Sequence, residues 1–198
     1  MTRLMDRPST QAIAQARERF ARRHRRRRAL LGLFTTVVIC AALVFAAAVT
    51  VAQPLWITDD AMAPTLEAGT LVLYSSWNYA PARGDVVVST VESPEGGMLV
   101  RRIIGLPGET VQVSGGAVYI NGELLESDIY GLEPMTGAGE AADPITLGPD
   151  EYFVLGDNRN HSSDSRDPSV GVLHREELIG KAWVRIYPFD KMGVIRHE

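Results

Sequence analysis

The chain has 198 residues, of which 45% are hydrophobic and 7% aromatic. This length leaves room for one domain of roughly 100–150 residues beside a shorter segment, and the apolar content excludes a chain that is disordered throughout. The net charge of −4 conceals two parts of opposite sign. Residues 1–28 hold ten arginines and two carboxylates, a charge of +8, so the other 170 residues carry −12.

A long apolar stretch follows the basic residues. Residues 29–52 contain no charged side chain, and a helix of about 20 apolar residues is long enough to cross a bilayer. The stretch exceeds the apolar core of a signal peptide, roughly 7–15 residues, and lacks the polar face of a helix in a soluble protein. It predicts a transmembrane helix. Arginines beside a span stay in the cytoplasm, so residues 1–28 are expected as a cytoplasmic arm and residues 53–198 as an extracytoplasmic domain.

The basic arm has more than one interpretation. A run of arginines can bind nucleic acid, but its position beside a span makes nucleic acid an unexpected partner. Anionic membrane lipids are the expected partner, and a plain topology signal is the simpler explanation. The single cysteine, Cys40, lies in the span, so the outer domain is expected to fold without disulfides.

After the span, short runs of β-branched and aromatic residues alternate with glycine and proline. This pattern is typical of an antiparallel, mostly β domain. Gly115-Gly116 predicts a hairpin turn, residues 127–149 a surface loop, and residues 174–181 a short helical turn. The predicted strands are residues 71–74, 85–91, 99–105, 110–115, 117–122, 152–157 and 182–188.

Neither a metal site nor a cofactor motif is evident in the sequence. The turn from Gly105 to Gly108 is too short for a phosphate-binding loop and lacks the lysine that would follow one. We therefore expect no metal and no cofactor. The four histidines are not closely paired in the sequence, and no cysteine outside the span could join them as a metal ligand. They are His24, His161, His174 and His197.

Three segments carry the strongest functional signal. They are DDAMAPTLEAGT (59–70), VRRIIGLPGE (100–109) and GDNRNHSSDSRDPSVG (156–171). In this order, behind a span, they resemble the bacterial type I signal peptidases, Ser–Lys proteases that remove signal peptides. The resemblance extends over about residues 30–198. It implies a signal-peptidase-like antiparallel β domain on a single N-terminal transmembrane helix in the plasma membrane.

The third segment is understandable as scaffold beside a buried site. Gly156 permits a backbone position closed to other residues. The alternative is a solvated turn held by surface ion pairs worth at most about 1 kcal/mol each, which does not explain the crowding of Asn158 and three serines among the charges. Four charges of alternating sign can satisfy one another: Asp157, Arg159, Asp164 and Arg166.

The chain departs from the family at both catalytic positions. The resemblance places the nucleophilic serine at Ala61, whose methyl group has no lone pair to attack a carbonyl. It places the basic lysine at Arg101, and arginine does not release its proton near neutral pH. Some relatives have a serine at the position of Asp59 that donates to the oxyanion, and a carboxylate would repel that charge.

By the same resemblance, other residues form the scaffold of the site. Ser162 matches a serine that orients the catalytic lysine, and Met62 and Pro64 set the backbone beside the substrate cleft. We also expect Arg101 to pair with Asp59 or Asp60. The further scaffold residues are Thr65, Arg102, Asp157, Asn158, Arg159, Asp164 and Arg166.

Three functions remain open. In the first, a catalytically inactive relative binds extended, signal-peptide-like segments of preproteins by main-chain hydrogen bonds. It then serves assembly or chaperoning at the outer membrane face, as some signal-peptidase-like proteins do in pilus assembly. In the second, the chain is an active signal peptidase and serine-type endopeptidase with a rearranged nucleophile, for which Ser162 with His161 is the local candidate. In the third, it is a structural membrane anchor. Two independent losses, at Ala61 and Arg101, favour the first.

Overall fold

The computed structural model describes residues 27–28, 30–42, 52–76, 79–94, 96–126, 128–131 and 133–197. The chain divides into two units, Met1–Thr50 and Val51–Glu198.

The first unit is helical where it is described, at residues 27–28 and 30–42. Apolar side chains of this helix are exposed, among them Leu30 and Phe34. Among the described residues, no helix is both long and apolar enough to cross a bilayer. The transmembrane helix predicted at 29–52 is therefore not confirmed; much of it, with residues 1–26 of the basic arm, lies outside the described residues.

The second unit is built from antiparallel β-sheet, which confirms the mostly β, antiparallel part of the predicted fold class. Among the described residues of this unit, three 3₁₀ turns interrupt the strands, at Gly139–Ala142, Arg175–Glu177 and Phe189–Lys191. Within the described part of this unit the strands are β1 (Ala52–Trp56), β2 (Leu71–Ser75), β3 (Val86–Glu92), β4 (Met98–Gly105), β5 (Thr110–Ser114), β6 (Ala117–Ile120), β7 (Glu123–Leu124), β8 (Ile145–Thr146), β9 (Glu151–Leu155), β10 (Leu173–His174), β11 (Leu178–Tyr187) and β12 (Gly193–Val194).

The strands form a large and a small sheet. Counting described residues, the large sheet has eight strands in the order β1-β2-β11-β3-β4-β9-β10, with β12 paired to β11, and the small sheet has the order β7-β6-β5-β8. The connection between the sheets is tight at Gly105, where a Cβ atom would lie 2.5 Å from Val111 and 2.9 Å from Phe153. A glycine is needed there because protein interiors leave no such space.

Strand β4 positions the site. It pairs with β3 on one side, and on the other side with β9 from Arg102 onward, where Arg102 faces Leu155. Because β9 ends at Leu155, the first half of β4 has a strand partner on one side only, as far as the chain is described.

The structure changes three local predictions. The predicted surface loop at 127–149 contains β8 and a 3₁₀ turn and buries Met135, Ala141 and Leu147. Residues 178–181 belong to β11 rather than to a helical turn, which is limited to Arg175–Glu177. Leu178, Gly180 and Ala182 alternate with more exposed neighbours, the period of a strand with one buried face. Ala52, the predicted end of the span, is the first residue of β1, which was not predicted.

Candidate active site

Residues 59–70, which follow β1 and are called the nucleophile segment below, include the position where a nucleophile is expected. Met62 and Leu66 are fully buried, and the Leu66 N–H donates to the Met62 carbonyl at 2.8 Å. The segment is therefore a tight turn anchored in the core. Ala61, directly before Met62, is only 2% exposed, whereas Pro64 is exposed and Thr65 is half-buried.

Arg101 is fully buried on β4, and its guanidinium contacts three parts of the chain. Nη1 and Nη2 donate to Oδ2 of Asp59 at 3.2 and 3.3 Å. Nη1 also donates to the carbonyl of Val100 at 2.7 Å, and Nε to the carbonyl of Ser163 at 2.8 Å. The ion pair expected with Asp59 or Asp60 is thus formed with Asp59.

The Asp59 carboxylate has further donors. Its Oδ1 accepts the Ala61 N–H at 3.3 Å, and its Oδ2 accepts the Ser93 hydroxyl at 3.0 Å. A buried charge is tolerated when it is paired and hydrogen-bonded, and both conditions are met here. The backbone N–H at the nucleophile position is consequently engaged by a carboxylate.

The adjacent Arg102 forms a second buried ion pair. Its Nε and Nη2 donate to the two oxygens of Asp157 at 2.8 and 2.7 Å, a bidentate arrangement. The Thr65 hydroxyl donates to the same carboxylate at 2.6 Å, which connects the nucleophile segment to β4. The guanidinium lies 3.5 Å from the centroid of the Tyr130 ring. Tyr130 was not predicted, because a cation–π contact between distant residues leaves no local pattern.

The loop after β9 packs directly on the nucleophile segment. The Asn158 N–H donates to the Ala61 carbonyl at 3.0 Å, and its side-chain amide to the Asp60 carbonyl at 3.1 Å. Gly156 is required by this approach: a Cβ would lie 2.4 Å from the Ala61 oxygen and 2.2 Å from the Ser162 hydroxyl. The reason for the glycine is therefore lack of space.

The four charges of this loop do not simply satisfy one another, so that expectation is wrong for two of them. Arg166 forms a bidentate pair with Asp164. Asp157, however, pairs with Arg102, and both terminal nitrogens of Arg159 contact Asp128. Asp128 lies in the predicted surface loop, and nothing in its local sequence indicates this partner.

Ser162 lies beside the nucleophile position with a buried hydroxyl oxygen. Within the described part of the chain this oxygen has no hydrogen-bond partner. Ser162 also lines a cavity of about 380 Å³ together with Arg159 and Arg166. A buried polar atom without a partner is rare. His161, next to it, is exposed.

A second ionisable cluster, not predicted from the sequence, surrounds Asp85 just before β3. Lys181 and the Tyr79 hydroxyl both contact its carboxylate. His197 Nδ1 accepts the Val86 N–H at 3.2 Å and lies 3.8 Å from Asp85 Oδ1. Burial, together with the hydrogen bond to Asp85, raises the pKa of Tyr79. Burial and the nearby Lys181 charge lower the pKa of His197 to about 4.

The chemistry available at the two expected catalytic positions is limited by their side chains. The Ala61 methyl group offers no nucleophile, and the Arg101 guanidinium stays protonated and so offers no base. In the ranges that the structure describes, no group of three or more His, Cys, Asp or Glu side chains is placed to hold a metal ion.

Comparisons with known proteins agree with the three sequence segments. The family model described as "Signal peptidase, peptidase S26" matches residues 30–187. A probable signal peptidase I-2 of Synechocystis is 34% identical over 179 residues, covering 85% of this chain and 78% of the relative. Signal peptidase I of Leptolyngbya laminosa is 37% identical over 153 residues, 72% of each chain.

A further relative and one solved structure also match. Signal peptidase I U of Bacillus subtilis is 32% identical over 168 residues, covering 79% of this chain and 87% of the relative. A crystal structure of a signal peptidase I from Enterococcus faecalis is 34% identical, with a TM-score of 0.43, and covers 52% of this chain and 97% of its own.

Proposed function

Since this chain belongs to the signal peptidase family, peptidase S26, we propose that it binds extended, signal-peptide-like segments and does not cleave them. The relatives are named signal peptidases, so the expected ligands are preproteins that carry a signal peptide. One observation carries the proposal: at the two catalytic positions stand an alanine and an arginine that is fully buried against Asp59.

Three chemical requirements of a Ser–Lys protease are affected together. Ala61 supplies no attacking oxygen, and Arg101 supplies no neutral amine. Backbone N–H groups stabilise the oxyanion in acyl transfer, and the Ala61 N–H already donates to Asp59. A carboxylate at that place also opposes the negative charge of a tetrahedral intermediate.

Binding has different requirements from cleavage. An extended peptide that adds to a sheet edge is held mainly by main-chain hydrogen bonds, and these need neither a serine nor a lysine. Residues 98–101 of β4 have, among the described residues, a strand partner on the β3 side only, and their other side supports such an addition. An assembly or chaperone role, for example with pilus subunits, follows from binding without cleavage.

The proposal includes the topology of the chain. Residues 1–28 form a cytoplasmic arm near anionic lipids, residues 29–51 a single span, and residues 52–198 the domain at the outer membrane face, since Ala52 belongs to β1. Support comes from the uncharged stretch and from the arginines on one side of it.

The test is cleavage of a labelled preprotein by the full chain reconstituted in lipid. We expect no cleavage by the natural chain and cleavage by Asp59→Ser/Ala61→Ser/Arg101→Lys, because this variant restores both catalytic groups and also removes the carboxylate that holds the N–H of residue 61. Each single variant serves as a matched control and should stay inactive. Cleavage by the natural chain would contradict the proposal.

A second candidate, an active peptidase with a rearranged nucleophile, is favoured by one observation, the unpartnered Ser162 hydroxyl beside Ala61. The same assay separates the two candidates. If the natural chain cleaves and Ser162→Ala abolishes the cleavage, Ser162 is the nucleophile, and the His161→Ala variant then tests its base.

A further inference from the structure

The backbone of β4 shows where an added peptide strand would bind. The Ile103 N–H donates to the Asp85 carbonyl and the Ile103 carbonyl accepts the Gly84 N–H, both at 2.9 Å, on the β3 side. In an antiparallel sheet the N–H and C=O of one residue point to the same side, and consecutive residues alternate. Val100, three residues earlier, therefore points its N–H and C=O to the opposite side.

On that opposite side, β4 has no strand partner before Arg102 in the part of the chain that the structure describes. Arg102 faces Leu155, the last residue of β9, and the chain turns away after it. Val100 lies two residues before Arg102 and has the same orientation, so its carbonyl is the next acceptor in line along the edge. A peptide that continues the sheet where β9 stops has to use this carbonyl.

The Val100 carbonyl already accepts a hydrogen bond from Arg101, whose guanidinium lies against it. Nη1 donates to it at 2.7 Å, while Nε donates to the Ser163 carbonyl at 2.8 Å and both terminal nitrogens contact Asp59. One guanidinium thus connects β4, the loop after β9 and the nucleophile segment. With Arg101 fully buried and Ala61 only 2% exposed, these contacts close the space between the three segments.

We propose that Arg101 is an internal occupant of the peptide-binding edge, and that an extended peptide binds only when the guanidinium leaves the Val100 carbonyl. This inference rests on the proposed function, since it concerns the regulation of the same site. Asp59 holds the arginine in place by neutralising its charge, so the pair acts as one closing element. The ligand class is the extended, signal-peptide-like segment of the proposed function.

If the edge is free in only a fraction of the molecules, the apparent peptide affinity equals the affinity of the open form multiplied by that fraction. If the edge is free in about one molecule in ten or fewer, removing the occupant should tighten peptide binding roughly tenfold or more. Tighter binding after loss of a charged donor is opposite to the result expected if Arg101 itself bound the peptide.

The experiment measures the dissociation constant of a fluorescein-labelled signal peptide ending in Ala-x-Ala, by anisotropy, with the full chain in lipid nanodiscs. The test variant is Arg101→Met/Asp59→Asn, which removes both members of the ion pair and leaves no buried charge alone. The matched control is Arg83→Met/Glu109→Gln, which removes an ion pair elsewhere in the domain. We expect roughly tenfold tighter binding by the test variant and no change in the control.

The outcomes separate the two proposals. If the natural chain binds and the test variant binds equally or more weakly, the inference is wrong and the proposed function stands. If neither chain binds the peptide, the proposed function fails, and the inference fails with it. Arg101→Lys is a second variant in case the first does not fold. Lysine keeps the charge beside Asp59 but cannot reach both carbonyls, so the affinity of this variant for the peptide should lie between those of the natural chain and the test variant. An affinity equal to that of the natural chain would overturn the inference.

Discussion

Two consecutive arginines are both fully buried on β4, each with its own carboxylate: Arg101 with Asp59 and Arg102 with Asp157. Consecutive strand residues point to opposite faces of the sheet, which is how two like charges are accommodated side by side. Removing one partner of a buried pair is costly because the other charge is left without compensation. Arg101 and Asp59 therefore form a buried structural ion pair.

The Arg101→Lys variant should be less stable than the natural chain. Lysine keeps a positive charge, but a single ammonium on a flexible stem cannot donate to Asp59, the Val100 carbonyl and the Ser163 carbonyl together. A loss of about 2 kcal/mol corresponds to a melting temperature lower by about 4–8 °C. Near-UV circular dichroism of the full chain in detergent measures it. Arg196→Lys, at an exposed arginine, is the control, and a melting temperature equal to the control's would refute a structural role.

Among the structural elements, the loop after β9 and the nucleophile segment lie very close to each other at Gly156. Asn158 provides two hydrogen bonds across the contact, and Asp164 accepts the Gly156 N–H at 3.1 Å. The loop is therefore fixed at both its beginning and its middle. Any side chain at residue 156 would push the two segments apart.

Gly156→Ala should destabilise the domain by about 1–3 kcal/mol, the usual cost of overpacking. The added methyl would lie 2.2 Å from the Ser162 hydroxyl and 2.4 Å from the Ala61 oxygen. Combining it with Ser162→Gly should recover only part of the loss, because the contact with the Ala61 carbonyl remains. Urea denaturation compares these chains with Gly137→Ala, where a Cβ meets nothing within 4 Å. Equal stability of the two alanine variants would contradict the close approach.

At the scale of the whole molecule, the C-terminal residues tie the large sheet to the site scaffold. β12 pairs with β11, Ile195 is buried, and the Arg196 carbonyl accepts a hydrogen bond from Arg102 at 3.0 Å. His197 then accepts the Val86 N–H of β3. Strands far apart in sequence are thereby connected through the last residues of the chain.

This arrangement predicts that stability falls in mild acid. The pKa of His197 is lowered to about 4 in the folded chain, against about 6.5 for an unfolded histidine, so below pH 6.5 the unfolded state binds more protons. The contribution is fully present above pH 6.5 and is lost as the pH falls toward 4. Protonated Nδ1 also cannot accept the Val86 N–H. Melting temperatures between pH 7 and 4 should fall less steeply for His197→Gln than for the natural chain. His174→Gln, at an exposed histidine, should retain the natural slope; equal slopes in all three chains would contradict the prediction.

Much of the domain could be predicted locally. Runs such as residues 110–114 and 117–120 carry the two-residue period, and Gly115-Gly116 marks their turn, so strand and hairpin followed from neighbouring residues alone. The prediction failed at Leu178–Lys181, where charged residues just before it suggested a helical turn. There the buried face against β3 decides the conformation, and that contact lies about ninety residues away in sequence.

Residue identity and short-range pattern are enough to predict the family, the mostly β antiparallel domain and the residue types at Ala61 and Arg101. The carboxylate that each arginine contacts depends on the folded chain: Asp59 for Arg101, Asp157 for Arg102, and Asp128 for Arg159. Partners that lie 31 to 55 residues apart are brought together by strand pairing and core packing. The physical reason is that burying a charge makes its compensation obligatory, but only the folded chain determines which carboxylate is near enough to provide it.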